Sequence, residues 1–160
     1  MFAARFDIVK VGQVGFSNSE PSELRVLNRV IRADRINETI ELGADARHAT
    51  KLLKEYGLES ANDTKTPGAK KNEAESPEAE DSPLLGPAEV TKFRSAVMRA
   101  QYLSLERPDL VEGVKALARN MARPREGHLP DLKRLICYLR GKPTAVLDYR
   151  RLTVAEVATI

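Results

Sequence analysis

Residues 93–149 constrain the fold most, because they carry most of the clear helix start and stop signals in the chain. Phe93, Ala96, Val97, Ala100 and Leu103 recur at three- and four-residue steps, the apolar stripe of a 3.6-residue helix. Met98, Tyr102 and Leu105 form a second apolar strip on the opposite side. A helix apolar on two faces is expected to lie buried between neighbours, which makes it the expected centre of the fold. A second helix starts at Pro108 and Asp109, where proline suits the first helical position and a carboxylate suits the positive end of the dipole. Its apolar face is Leu110, Val114, Leu117 and Met121, with Val111 and Ala118 alongside. Lys115, Arg119 and Arg123 share the other side, and Pro124 ends the helix by pushing the residue before it out of helical geometry. A third helix starts near Pro130 and Asp131, buries Leu132, Leu135, Ile136 and Leu139, and stops at Gly141, with Pro143 beyond. Residues 144–149 alternate as a strand.

Upstream, residues 6–16 read as a strand or irregular edge weakened by Gly12 and Gly15, and 17–22 as a turn. Residues 24–31 and 39–42 read as two strands joined through 33–38, a hairpin. Arg25, Arg29 and Arg32 leave one edge basic, a device that also protects edge strands. Asp45 is a good N-cap for a helix running to Tyr56, with Ala49, Leu52, Leu53 and Tyr56 on one face and Gly57 as its stop. Arg47, Lys51 and Lys54 share its polar side; His48 falls near the apolar boundary, where a structural or solvent-facing role is expected. Residues 60–87 then change character. Pro67, Gly68, Pro77, Pro83, Gly86 and Pro87 combine with Glu73, Glu75, Glu78, Glu80 and Asp81, and large apolar residues are scarce until Leu84 and Leu85. That composition predicts a disordered or extended acidic linker.

The expected class is therefore α+β: a small β-hairpin/helix piece, an acidic linker, and a three-helix block ending in a strand. The boundaries expected are 1–59, 60–87, 88–149 and a tail at 150–160.

In chain order, Phe93-Arg94-Ser95, Tyr102-Leu103, Arg107-Pro108-Asp109, Met121, Pro124, His128, Lys133-Arg134, Tyr138-Leu139 and Gly141 resemble the reverse-transcriptase portion of copia-type retrotransposon Pol polyproteins. Leu27-Asn28-Arg29, Asp45 with Arg47-His48, Gly57-Leu58 and Thr66-Pro67-Gly68 look like the same family, particularly its dinoflagellate-type members. The resemblance covers most of residues 6–149. It implies that 1–59 is thumb-like and 88–149 is the connection-like segment preceding ribonuclease H. It also implies partners: an RNA/DNA primer–template duplex, and the palm and ribonuclease H domains of the polyprotein. In that family magnesium is held by clustered aspartates, including a Tyr-x-Asp-Asp turn upstream of this block, where the metal positions the nucleotide and offsets developing charge. This chain has no Asp-Asp pair, and 150–160 has Glu156 but no Asp where the family's ribonuclease H strand begins. The expectation is a fragment with no catalytic residues and no cofactor of its own.

Charge is uneven. Residues 1–87 carry 12 Lys/Arg against 15 Asp/Glu, a net of −3, and residues 88–160 carry 14 against 8, a net of +6. The helical half is thus the expected polyanion-binding half. Its candidate contacts are Lys115, Arg119 and Arg123 on the second helix with Lys133, Arg134 and Arg140 on the third; the alternative for all six is solubilising charge on the outside of a bundle. Basic–aromatic interleaving for single-strand stacking is missing from the sequence. A lone cysteine cannot make an internal disulfide, and no apolar run nears the roughly 20 residues that cross a bilayer, so a soluble intracellular protein, cytoplasmic or nuclear, is expected.

Other chemistries fare worse. His48, His128 and Cys137 lack zinc-ligand spacing, Gly12-Gln13-Val14-Gly15 is neither a dinucleotide loop nor a P-loop, and Ser95 and Ser104 have no elbow around them. A Cys137–His128 nucleophilic pair has no supporting motif. Counted at 100° per residue, Cys137 falls away from the apolar stripe and near Lys133 and Arg140, which predicts partial exposure beside positive charge. The competing functional class is a helical protein-interaction module. Exposure of Met98, Tyr102 and Leu105 would favour it, since exposed apolar patches mark partner surfaces.

Overall fold

A computed structural model describes residues 12–68, 79 and 81–150. Among these residues it is α+β as expected, with a four-stranded antiparallel sheet and four α-helices. The chain divides into two compact units, Met1–Gly43 with Val146–Ile160, and Ala44–Ala145.

The first unit is the sheet, with strands β1 (Glu23–Val26), β2 (Arg29–Asp34), β3 (Thr39–Gly43) and β4 (Val146–Arg150) in the order β1-β2-β3-β4. The single strand expected over 24–31 is broken, because the backbone turns at Leu27 and Asn28 with φ of 50° and 65°. Two successive left-handed residues give the turn whose twist matches antiparallel strands, so the expected hairpin is a three-stranded meander. The β2–β3 turn is set by Asp34, whose carboxylate accepts the N–H groups of Ile36 and Asn37 at 2.9 and 3.1 Å. Those bonds, that from the Asn37 backbone foremost, hold the Asp34 carboxyl below its usual pKa. Register separates the two faces. Leu24, Ile31, Leu42 and Leu147 align in one cross-strand row, and Glu23, Arg32, Glu41 and Asp148 align in the row beside it on the opposite face. Arg32 bridges Glu23 at 2.8 Å and Glu41 at 3.6 Å. Of the strand or edge expected over 6–16, residues 6–11 lie outside the described residues and 12–16 have no regular structure.

The second unit is helical: α1 (Ala46–Tyr56), α2 (Pro87–Ser104), α3 (Val111–Arg119) and α4 (Leu129–Gly141), with 3₁₀ turns at Pro108–Leu110 and Glu126–His128. The expected signals operate at α1, where the Asp45 carboxylate accepts the Arg47 N–H at 3.1 Å and Gly57 adopts φ 62°. At the start of α2, Glu89 accepts the Gly86 N–H at 3.2 Å. One core holds all four helices: Ala49 and Leu52 of α1, Phe93, Ala96, Val97, Ala100 and Leu103 of α2, Val114 and Leu117 of α3, and Leu132, Leu135, Ile136 and Leu139 of α4. α1 therefore clusters with the helices rather than with the strands that precede it.

Three expectations fail here. Helix α3 stops at Arg119, not at Pro124: Asn120 leaves helical geometry and the next N–H groups bond three residues back, Asn120 to Leu117 and Met121 to Ala118, while Arg94 Nε and Nη2 donate to the Met121 and Ala122 carbonyls at 2.7 and 3.0 Å in the turn beyond. The second strip of α2 is not buried: Met98, Tyr102 and Leu105 are 53%, 42% and 72% exposed. Cys137 is buried rather than exposed. Arg134, Cys137 and Gly141 share one stripe of α4. Thr64 Oγ1 donates to the Arg134 carbonyl at 3.0 Å, and a Cβ on Gly141 would meet Asp63 at about 3 Å, so the segment after α1 runs across that stripe and covers the thiol.

Candidate nucleic-acid interface

The six cations proposed for polyanion contact separate by what holds them. Lys115 is exposed on α3, with a loose pair to Glu112 at 3.7 Å. Arg119 is exposed at the last position of the helix. Arg123 is exposed in the turn beyond, so it does not continue the helical stripe counted from the sequence. Lys133 is exposed on α4.

Arg134 and Arg140 are used internally. Arg140 donates through Nε to the Glu59 carbonyl at 2.8 Å and pairs through Nη1 with Asp63. Arg134 Nη2 reaches Thr66 Oγ1 at 3.3 Å, and its carbonyl accepts from Thr64. The two arginines fasten residues 59–66 to α4. The other end of the expected linker is docked as well. Leu85 is buried, its N–H donates to the Pro124 carbonyl at 3.0 Å, and Arg125 Nη1 donates to the Ser82 carbonyl. Glu73, Glu75, Glu78 and Glu80 lie outside the described residues.

The most elaborate polar cluster has a structural cause rather than a ligand-shaped one. Arg107 is 1% exposed and forks onto Asp109, Nε to Oδ1 at 3.1 Å and Nη2 to Oδ2 at 2.7 Å. Its Nη1 donates to the Lys142 carbonyl at 2.7 Å, and Tyr138 donates its hydroxyl to Asp109 at 2.8 Å. Burial pushes the Asp109 carboxyl up, but the bonds from Arg107 and Tyr138 and the guanidinium charge outweigh it and hold the pKa below the ordinary value. The cluster ties the start of α3 to the end of α4. Arg107-Pro108-Asp109 is visible in the sequence as a tripeptide, but Tyr138 and Lys142 come to it from about 30 residues away.

The remaining sequence candidates have structural uses. His128 is buried and its Nδ1 accepts the Arg125 N–H at 3.1 Å, fixing the turn into α4. His48 sets its ring against Tyr102, centroids 4.8 Å apart. Among the described residues no three His, Cys, Asp or Glu side chains converge. No helix among the described residues is long and apolar enough to cross a membrane.

Over 53 residues, 33% of this chain, the sequence is 43% identical to the retrovirus-related Pol polyprotein from transposon RE1 of Arabidopsis thaliana. Over 53 residues it is 42% identical to the retrovirus-related Pol polyprotein from transposon RE2 of the same plant. The matched stretch spans 4% of the length of either polyprotein. These similarities support a retrotransposon Pol origin. No protein-family model matches the chain, and no solved structure matches it.

Proposed function

We propose that this chain is a piece of a copia-type Pol polyprotein, from the reverse-transcriptase segment between palm and ribonuclease H, that makes sequence-independent contact with a primer–template duplex inside the cell. The observation that carries this is the identity of 42–43% to two Pol polyproteins over 53 residues. The exposure of Lys115, Arg119, Arg123 and Lys133 supports the duplex contact, since exposed cations give phosphate affinity without reading bases. Arg134 and Arg140 already have partners, which leaves four of the six candidates. The chain has no Asp-Asp pair, so polymerisation falls to residues supplied elsewhere in the polyprotein.

The test is a salt titration of binding to a 20-base-pair DNA duplex by fluorescence anisotropy, with primer extension in magnesium run alongside. Four phosphate contacts give a log–log slope of about −3.6, against roughly −5.4 if all six engaged. Lys115→Glu/Lys133→Glu should reduce the slope by about 2. Salt-indifferent binding, or equal binding by that variant, would reduce the four cations to solvated surface charge. Primer extension by the purified chain would overturn the non-catalytic assignment.

A further inference from the structure

The α2 strip and the polar side of α1 lie outside the candidate nucleic-acid interface, and they meet. His48 of α1 touches Tyr102 of α2, centroids 4.8 Å apart, and Glu55 pairs with Arg99 at 3.6 Å. α1 and α2 therefore run antiparallel along one another. Met98, Tyr102 and Leu105 occur at i, i+4 and i+7, so they form one line along the outer side of α2, all exposed. Arg47, Lys51 and Lys54 repeat the same spacing on α1, where with Ala46 and Thr50 they line a shallow, open hollow of about 340 Å³.

Charge on this surface is lopsided. Arg47 forks onto Asp45, and Glu55 answers Arg99, but among the described residues no carboxylate pairs with the exposed Lys51 and Lys54. An exposed line of large apolar residues beside uncompensated lysines fits a partner that is apolar on one stripe and acidic on its flank. We propose that α1 and the outer face of α2 form a docking surface for an acidic amphipathic helix of a partner protein. The helix places apolar residues on Met98, Tyr102 and Leu105, and its Asp or Glu residues against Lys51 and Lys54. A nucleic-acid strand accounts for less of the surface. It would engage the lysines, but Met98 and Leu105 have no aromatic face for a base to stack on and would stay exposed. The proposal does not depend on the duplex contact at α3 and α4.

The experiment uses the full chain and a phage-displayed library of helical 16-residue peptides, with Leu105→Glu as the counter-selection. Leu105 is 72% exposed, so that variant keeps the fold; Met98→Gln serves as a second, milder probe of the same strip. Selected peptides are expected to carry Leu, Ile or Phe at three- and four-residue steps and an excess of Asp and Glu. Synthesised, they should bind the intact chain about 10-fold or more tighter than Leu105→Glu. Binding should fall roughly 3-fold or more with Lys51→Glu/Lys54→Glu, and stay level with Lys115→Glu/Lys133→Glu, which alters α3 and α4 instead. The proposal is overturned if no peptide prefers the intact chain to Leu105→Glu, or if the selected peptides lack acidic excess. It is equally overturned if a 15-residue oligothymidylate displaces them through Lys51 and Lys54 while Met98→Gln has no effect.

Discussion

Removing Asp109 should destabilise the helical unit more than removing the arginine it pairs with, although each side chain makes three hydrogen bonds in the cluster. The asymmetry comes from burial. The Arg107 side chain is 1% exposed, whereas that of Asp109 is 34% exposed. In Arg107→Met the carboxylate keeps the Tyr138 hydroxyl at 2.8 Å and can turn to water, so the loss is the net value of the charged hydrogen bonds and of the Lys142 carbonyl's donor. That is about 2 kcal/mol. In Asp109→Ala a guanidinium stays in the interior with one carbonyl for three donating nitrogens, and an unpaired buried charge costs roughly 3–5 kcal/mol. In the double variant Arg107→Met/Asp109→Ala no charge is stranded, so it should be more stable than Asp109→Ala alone by about 1–2 kcal/mol.

The assay is urea unfolding at pH 7 followed by far-UV circular dichroism, with the midpoints of the four chains compared at a common m-value. Equal losses in the two single variants, or a double variant less stable than Asp109→Ala, would refute the assignment of the cost to the stranded guanidinium. The pH dependence gives a second check. The Asp109 pKa is lowered from its ordinary 3.8 in the fold, so the unfolded chain binds more protons just below that value. The Asp109 contribution is therefore fully present above pH 3.8 and is lost as pH falls through the folded pKa. The gap between the intact chain and Asp109→Asn should hold from neutral pH down to that value and narrow only below it.

Cys137 should react with a disulfide reagent roughly 100-fold more slowly in the folded chain than in urea, and Thr64→Val/Arg140→Ala should speed it several-fold by releasing residues 59–66; native labelling at the unfolded rate would place the thiol outside the cover. Gly57→Ala should cost about 1 kcal/mol through backbone strain alone, because φ is 62° and no atom lies within 4 Å of the added methyl; a neutral result in urea titration would contradict the left-handed stop. Arg94→Leu should cost about 1–2 kcal/mol and raise amide exchange in residues 119–123, where two carbonyls lose their donor; unchanged exchange would mean that the turn after α3 holds without Arg94.

Local chemistry was legible where one residue decides the outcome. Asp45, Gly57 and Gly141 mark helix ends in the sequence and mark them in the structure, and the a-stripe Phe93, Ala96, Val97, Ala100 and Leu103 is the buried face of α2. Periodicity failed where the deciding contact is distant. Nothing near residue 120 announces that Arg94, more than 25 positions earlier, will donate to the Met121 and Ala122 carbonyls and hold that stretch as a turn. The break at Leu27 and Asn28 was hidden because leucine is a poor left-handed residue, so only asparagine signalled a turn. Cys137 illustrates the same limit from the other side. A helical wheel finds the face away from the core, but not a loop fastened over it by Arg134 and Arg140.

Those two arginines also define what a basic row in a sequence can say about binding. Spacing selects residues on one side of a helix, and phosphate binding and loop fastening place cations on that side for the same electrostatic reason. What separates the uses is whether a carbonyl or carboxylate already meets the guanidinium. Arginine's planar fork suits two backbone or side-chain oxygens at once, and Arg94, Arg107, Arg125, Arg134 and Arg140 all donate to oxygens or hydroxyls of the chain itself. The lysines behave differently. Lys51, Lys54 and Lys133 end in compact ammonium groups that reach solvent, while Lys115 shares only a loose pair. In this chain the arginines mostly join elements of the fold. Among the described residues, Arg25, Arg119 and Arg123 are exposed arginines outside these joints, as are the exposed lysines.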